Sequence, residues 1–172
     1  MTDTPDILPT HALMALWESQ LSLNDDEFNL ITSEIDPQNL IGGSIIAVTF
    51  TASKWSSSYM EGVYNIMEVG RAVRRVAEGW RDQQAHSAEV VNTVDEYGLA
   101  LIMAPRQTGT GVEMEFFLPG EHGTLETAMA SLVPLNILSN TAVQSGRHRD
   151  GESFRAWLRE SFWKLQAGQG LV

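Results

Sequence analysis

The chain has 172 residues and contains no cysteine. Disulfides, thiolate zinc sites, iron–sulfur clusters and cysteine nucleophiles are therefore excluded. The longest apolar runs, Ile45–Phe50 and Leu99–Ala104, are far shorter than the roughly 20 residues that a membrane span needs. Asp3 and Asp6 stand where a signal peptide would have basic residues, and no apolar segment follows them. We therefore expect a cytoplasmic protein with no membrane contact.

Basic residues are also scarce, since 11 Lys and Arg stand against 22 Asp and Glu, for a net charge of -11. Most of the excess lies in the first 50 residues, which hold eight acids and no Lys or Arg. Such asymmetry is information about interaction surfaces rather than about fold. The acidic block either faces a basic partner, or packs beside the basic segments at residues 71–81 and 147–164, or is simply solvated. The acidic balance makes nucleic acid an unlikely partner.

Helical spacing of apolar residues and capping signals recur along the chain. Asn24 with Glu27, and Ser58 with Glu61, fit capping boxes, and Asp150 can cap the last helix. Pro134 is expected to kink or divide the helix that contains it. These signals predict helices at about residues 10–21, 24–36, 58–84, 125–144 and 152–166.

Between these helices the sequence favours strands. The β-branched run after Gly42 and Gly43 predicts a buried strand at residues 44–51. Further strands are predicted at about 88–94 and 98–104, although helix continuation through residue 94 is an alternative. A loop at 105–111 and an alternating strand at 112–118 would complete an antiparallel hairpin with strand 98–104.

These elements predict an α+β fold in one domain over residues 1–172, a length that suits one domain. Its small antiparallel sheet would have about four strands, with helices packed on one face and one long central helix. Residues 1–9 would form a flexible N-terminal segment.

Residues with catalytic chemistry are present, but none forms a convincing site. His122 and Glu126 have the i,i+4 spacing of two metal ligands, and two ligands do not make a site. Glu113 and Glu115 share one strand face, where solvation is the simpler interpretation. The Gly109–Gly111 segment precedes a strand rather than a helix N-terminus, so it does not match a phosphate loop. We predict no catalytic residue, no metal site and no cofactor, and we favour a protein that is not an enzyme.

The long helix is apolar on both sides in its first half. Met60, Tyr64 and Met67 lie opposite its main apolar face, so they are either buried under the N-terminal helices or form a homodimer or partner surface. Trp55 and Trp163 lie off the predicted core stripes. Because tryptophan is enriched at interface hot spots, we expect at least one of the two to be exposed or to contact another chain.

The sequence favours a non-enzymatic acidic module that binds a protein partner, with a basic partner as one alternative, as a chaperone, inhibitor or immunity-type factor does. One alternative is a small-molecule-binding or enzymatic α+β domain with a pocket near residues 105–122. Another is a structural subunit of a larger assembly, and a homodimer is a further possibility. The predicted partner-binding residues are Asp25, Asp26, Glu27, Trp55, Met60, Tyr64, Met67 and Trp163.

Overall fold

A computed structural model describes residues 9–117 and 122–168, and these residues are mostly helical. They form seven helices and one two-stranded antiparallel sheet. The elements are α1 Pro9–Leu21, α2 Asp25–Glu34, α3 Pro37–Lys54, α4 Tyr59–Gln83, α5 Ala88–Ile102, β1 Pro105–Thr108, β2 Gly111–Met114, α6 Thr124–Gln144 and α7 Gly151–Gly168. The predicted α+β fold with a four-stranded sheet is therefore wrong. Residues 1–8 of the predicted flexible segment lie outside the described part of the chain.

The predicted strand at residues 44–51 is instead the second half of α3. This helix has a strong start, because the Asp36 side chain accepts a hydrogen bond from the Gln38 amide and Pro37 occupies the first turn. β-branched residues lower helix propensity by only a few tenths of a kcal/mol each. Burial of residues such as Leu40 and Val48 against α1, α4 and α6 offsets that cost.

The two strands predicted between residues 88 and 104 are also wrong, because this segment is α5. Ser87 caps the helix, because its side chain accepts a hydrogen bond from the Val90 amide at 3.3 Å. The alternative prediction, a helix through residue 94, is correct, and the helix continues to Ile102. Gly98 lies inside this helix and is needed there. A Cβ at Gly98 would lie 2.8 Å from the carbonyl oxygen of Gly70 on α4, so the two helices touch through their backbones at these glycines.

The sheet consists of one hairpin that begins later than predicted. β1 lies in the segment expected to be a loop, and it pairs with β2 so that Arg106 is opposite Glu113 and Thr108 is opposite Gly111. Gly111 has φ +144, which favours glycine at this turn. The end of the predicted strand at residue 118 lies outside the described residues.

The core is one cluster of buried side chains from α1, α3, α4, α5, α6 and α7. α3 packs against α1, α4 and α6, while α4 and α5 run antiparallel to each other and also contact α6. The largest fully buried side chains include Trp17, Phe154 and Leu135. Pro134 does not divide α6, which is one helix from Thr124 to Gln144. The predicted caps at Asn24, Ser58 and Asp150 are all confirmed by hydrogen bonds to the amides of Glu27, Glu61 and Ser153.

Candidate functional site

Helix α2 is the least embedded of the seven helices that the structure describes. None of its ten residues, all of them described, is buried. Phe28, Ile31 and Ile35 pack on the core while still partly exposed. The opposite side of the helix faces solvent, and it displays residues spaced three and four apart, which are neighbours on a helix surface. We call this surface, together with Leu23 of the turn before the helix, the α2 outer face, and its helical residues are Asp26, Glu27, Leu30 and Glu34.

The acids of this region have no basic partner within the described chain. Asp25, Asp26, Glu27 and Glu34 are exposed, and no ion pair is formed by any of them with described residues. Glu18 on α1 differs, because it pairs with Arg159 of α7. The acidic block therefore pairs with the chain's own basic segment 147–164 at Glu18, whereas the acids of α2 form no such pair with described residues.

Leu23 occupies a conformation that its side chain does not favour. The Leu23 amide donates to the Gln20 carbonyl at 3.2 Å and the Asn24 amide donates to the Ser19 carbonyl at 2.9 Å. These two bonds form a Schellman motif, in which Leu23 takes the left-handed position with φ 58, where glycine is usual. The left-handed region costs a non-glycine residue roughly 1–2 kcal/mol. The Leu23 side chain is 84% exposed, so burial within the chain does not account for it.

The other predicted binding residues lie on separate elements. Met60 and Tyr64 on α4 are 55% and 58% exposed, so they are not buried under the N-terminal helices, and Met67 is partly exposed. Trp163 on α7 is 63% exposed, which confirms that at least one of the two off-stripe tryptophans is exposed. Trp55 is half-buried against Phe154, and the Arg147 guanidinium lies 4.9 Å from its ring. The structure does not bring these residues and the α2 outer face into one site.

A groove of about 380 Å³ lies between α5 and the hairpin, in the region where the sequence suggests a pocket. Leu99, Met103 and Phe117 form its apolar lining. Arg106 and Glu115 stand at its side, and the Arg106 Nε lies 2.5 Å from the Glu115 Oε1. Pockets of this size can hold small ligands when a few polar groups converge on them.

His122 joins the start of α6 to α5. Its Nε2 lies 2.8 Å from a Glu96 carboxylate oxygen and its Nδ1 lies 3.2 Å from the Thr93 hydroxyl. Thr93, His122 and Glu96 thus place a hydroxyl, an imidazole and a carboxylate in the order in which a base, held by a third group, activates a nucleophilic hydroxyl. Thr93 is nevertheless only 2% exposed, and its hydroxyl donates to the Glu89 carbonyl. The cluster therefore anchors two helices and offers no accessible nucleophile.

Sequence reasoning missed this cluster because Thr93 and Glu96 share a face only if residues 88–102 are helical. Among residues 9–117 and 122–168, no group of three or more His, Cys, Asp or Glu side chains is placed to hold a metal ion. Within the same residues, no helix combines the length and apolar character that crossing a bilayer requires.

Comparison with protein-family models, with curated proteins and with solved structures found no match to this chain. The functional argument consequently depends on the surfaces described above. Of these, the α2 outer face has both exposed leucines and acids without an ion pair, and packing within the described chain explains neither feature.

Proposed function

We propose that this protein is a non-enzymatic protein-binding module that takes a basic, partly apolar segment of a partner on the α2 outer face. The observation that supports it most is Leu23, a largely exposed leucine in a strained left-handed position beside acids that form no ion pair. Glycine or asparagine would suit that turn better. A leucine there is explained when its side chain contacts a partner.

The charge of the face defines the chemistry of the partner. Asp26 and Glu27 of the face, with Asp25 beside them at the helix start, form no ion pair in the described chain. Complementary charge steers association and rejects partners of like sign. Leu23 and Leu30 supply apolar area, for which burial contributes about 25 cal/mol per Å². An amphipathic segment with lysine or arginine beside leucine matches both features.

Such a binding mode fits a chaperone, an inhibitor or an immunity-type factor, each of which covers part of a basic protein. The exposed acids Asp25, Asp26, Glu27, Glu34 and Asp36 contribute to the same proposal, because the negative field around α2 accelerates encounter with a basic partner. That acceleration falls as salt screens the charges.

The test uses the full chain and a synthetic amphipathic helical peptide of leucine and lysine. We expect salt-sensitive binding by isothermal titration calorimetry. The triple variant Asp25→Asn, Asp26→Asn, Glu27→Gln is expected to bind about tenfold more weakly at low salt, since exposed charge pairs contribute roughly 0.5 kcal/mol each. Its affinity should also depend less on salt.

A matched control removes three exposed acids elsewhere: Glu78→Gln, Asp82→Asn and Glu89→Gln. This variant has the same net charge as the α2 variant and should bind the peptide like the wild type. Equal affinity of the α2 variant and the wild type, or equal weakening by both triple variants, would contradict a specific α2 site. A peptide whose leucines are replaced by serine should bind more weakly than its parent.

The groove beside Arg106 supports a second candidate function, the binding of a small ligand. Its apolar lining of Leu99, Met103 and Phe117, with one arginine at the side, suits an apolar molecule with an acidic group. Arg106 is already engaged by Glu115, however, which leaves this function second to partner binding.

A further inference from the structure

We propose that α4 is an interface for a second copy of this chain, arranged antiparallel about a two-fold axis. The surface concerned is the α4 stripe, which consists of Met60, Tyr64, Met67 and Arg71. Their spacing of four, three and four residues places them on one ridge of the helix.

The α4 stripe is not explained by packing within the chain. Helix α4 contacts α3, α5 and α6, and its buried residues, such as Val63, Ile66 and Val73, belong to a different face. Met60 and Tyr64 are more than half exposed, and the Arg71 guanidinium lies 5.9 Å from the Tyr64 ring. Tyrosine, methionine and arginine are the residue types enriched in the centres of protein interfaces.

The charges along α4 indicate that this surface binds α4 of a second copy, in antiparallel orientation. Residues 59–70 hold two acids, Glu61 and Glu68, and no base. Residues 71–83 hold four arginines against two acids. Arg71 pairs with Glu68 and Arg74 pairs with Asp95 within the chain, whereas Glu61, Arg75 and Arg81 form no ion pair with the described residues. An antiparallel pair brings Glu61 of each helix towards Arg75 of the other, and the two-fold symmetry makes this contact twice. A partner with charge of one sign would match only one half.

The arrangement also defines specific contacts. With the two-fold axis near Met67, Tyr64 of one copy lies level with Arg71 of the second copy, where arginine can stack on the ring. Glu61 then lies within about one residue, or about 1.5 Å along the axis, of the level of Arg75 of the second copy. Arg75 is exposed and has no ion pair with the described residues of its own chain.

The first test is sedimentation equilibrium of the purified full chain over a wide concentration range. We expect a monomer–dimer equilibrium that Tyr64→Ala weakens at least tenfold. Tyr59→Ala is the matched control, because Tyr59 is equally exposed at the same end of α4 and lies off the stripe, where its hydroxyl donates to the Val112 carbonyl. This control should leave the dimer constant unchanged.

The second test exchanges charge. Glu61→Arg alone and Arg75→Glu alone should each weaken the dimer, and the double variant should restore it. A monomer at every concentration, or a dimer that is insensitive to Tyr64→Ala and shows no rescue by the double variant, would overturn the proposal. The triple α2 variant should leave the dimer intact. Loss of the dimer in that variant would place the interface on α2 instead, so failure here is distinguishable from failure of the peptide test.

Discussion

At the scale of single residues, one buried hydroxyl chain links three helices. The Tyr97 hydroxyl of α5 donates to the Ser44 hydroxyl of α3 at 2.7 Å, and Ser44 donates to the Ser131 carbonyl of α6 at 2.8 Å. Tyr97 and Ser44 are almost completely buried. Burial raises the pKa of Tyr97 well above its usual value, because an ionised phenol would lose its hydration there.

Tyr97→Phe should lower the free energy of unfolding at pH 7 by about 1–2 kcal/mol, since the buried Ser44 oxygen loses its donor. The same change should flatten the alkaline loss of stability. Tyr97 releases its proton near pH 10 in the unfolded chain and at higher pH when folded, so its contribution is present below about pH 10 and is lost above it. Wild-type stability should fall there by up to about 1.4 kcal/mol more per pH unit than that of the variant.

Urea unfolding at pH 7, 10 and 11 measures both effects. The difference in stability between wild type and Tyr97→Phe should shrink above pH 10. A constant difference across these three pH values would show that Tyr97 ionises equally well in both states.

At the scale of elements, the close packing of α4 on α5 depends on paired glycines. A Cβ at Gly70 would lie 2.7 Å from the Gly98 carbonyl oxygen and 2.9 Å from the Leu101 Cβ. Arg74 and Asp95 pair at 3.0 Å one turn further along. Because the Gly98 oxygen is part of the helix backbone, the helices must move apart to admit a methyl group.

Gly70→Ala should therefore lower the free energy of unfolding by about 1–3 kcal/mol. Gly79→Ala on the same helix is the matched control, since a Cβ there meets nothing within 4 Å. It should raise stability by about 0.5–1 kcal/mol through helix propensity. Chemical denaturation of both variants gives the comparison, and destabilisation of similar size by the two substitutions would refute the role of the helix contact.

Local signals in the sequence predict some elements correctly and others wrongly. The caps at Asn24, Ser58 and Asp150 correctly start three helices, because capping depends on residues only two or three positions apart. The β-branched and apolar residues of segment 44–51 and, within 88–104, of segments 88–94 and 98–104 predict strands. Both regions are instead largely helical, in α3 and α5, and a short apolar run cannot distinguish a buried strand from a buried helix segment by periodicity alone.

The candidate site was partly predictable in the same way. The exposure of Asp25, Asp26 and Glu27 follows from three consecutive acids at a helix start. The role of Leu23 could not be predicted, since the left-handed turn is defined by backbone hydrogen bonds from Leu23 and Asn24 back to α1. Exposure of Met60 and Tyr64 likewise depends on which helices cover α4.

At the scale of the whole molecule, two surfaces of different chemistry face solvent. The α2 outer face has unpaired acids with leucines, whereas the α4 stripe has methionine, tyrosine and arginine. The first suits a basic partner and the second suits a copy of itself. A dimer through α4 would present two acidic faces, and a partner or assembly with two basic segments would gain from binding both at once.

Hydrogen–deuterium exchange of the full chain, with and without the leucine–lysine peptide at saturating concentration, tests the central claim most directly. The account predicts slower exchange of amides in residues 21–36 on binding, because the partner segment covers α2 and suppresses its fraying. Unchanged exchange in residues 21–36, with protection at residues 96–117 instead, would contradict binding at α2 and identify the groove beside Arg106 as the site.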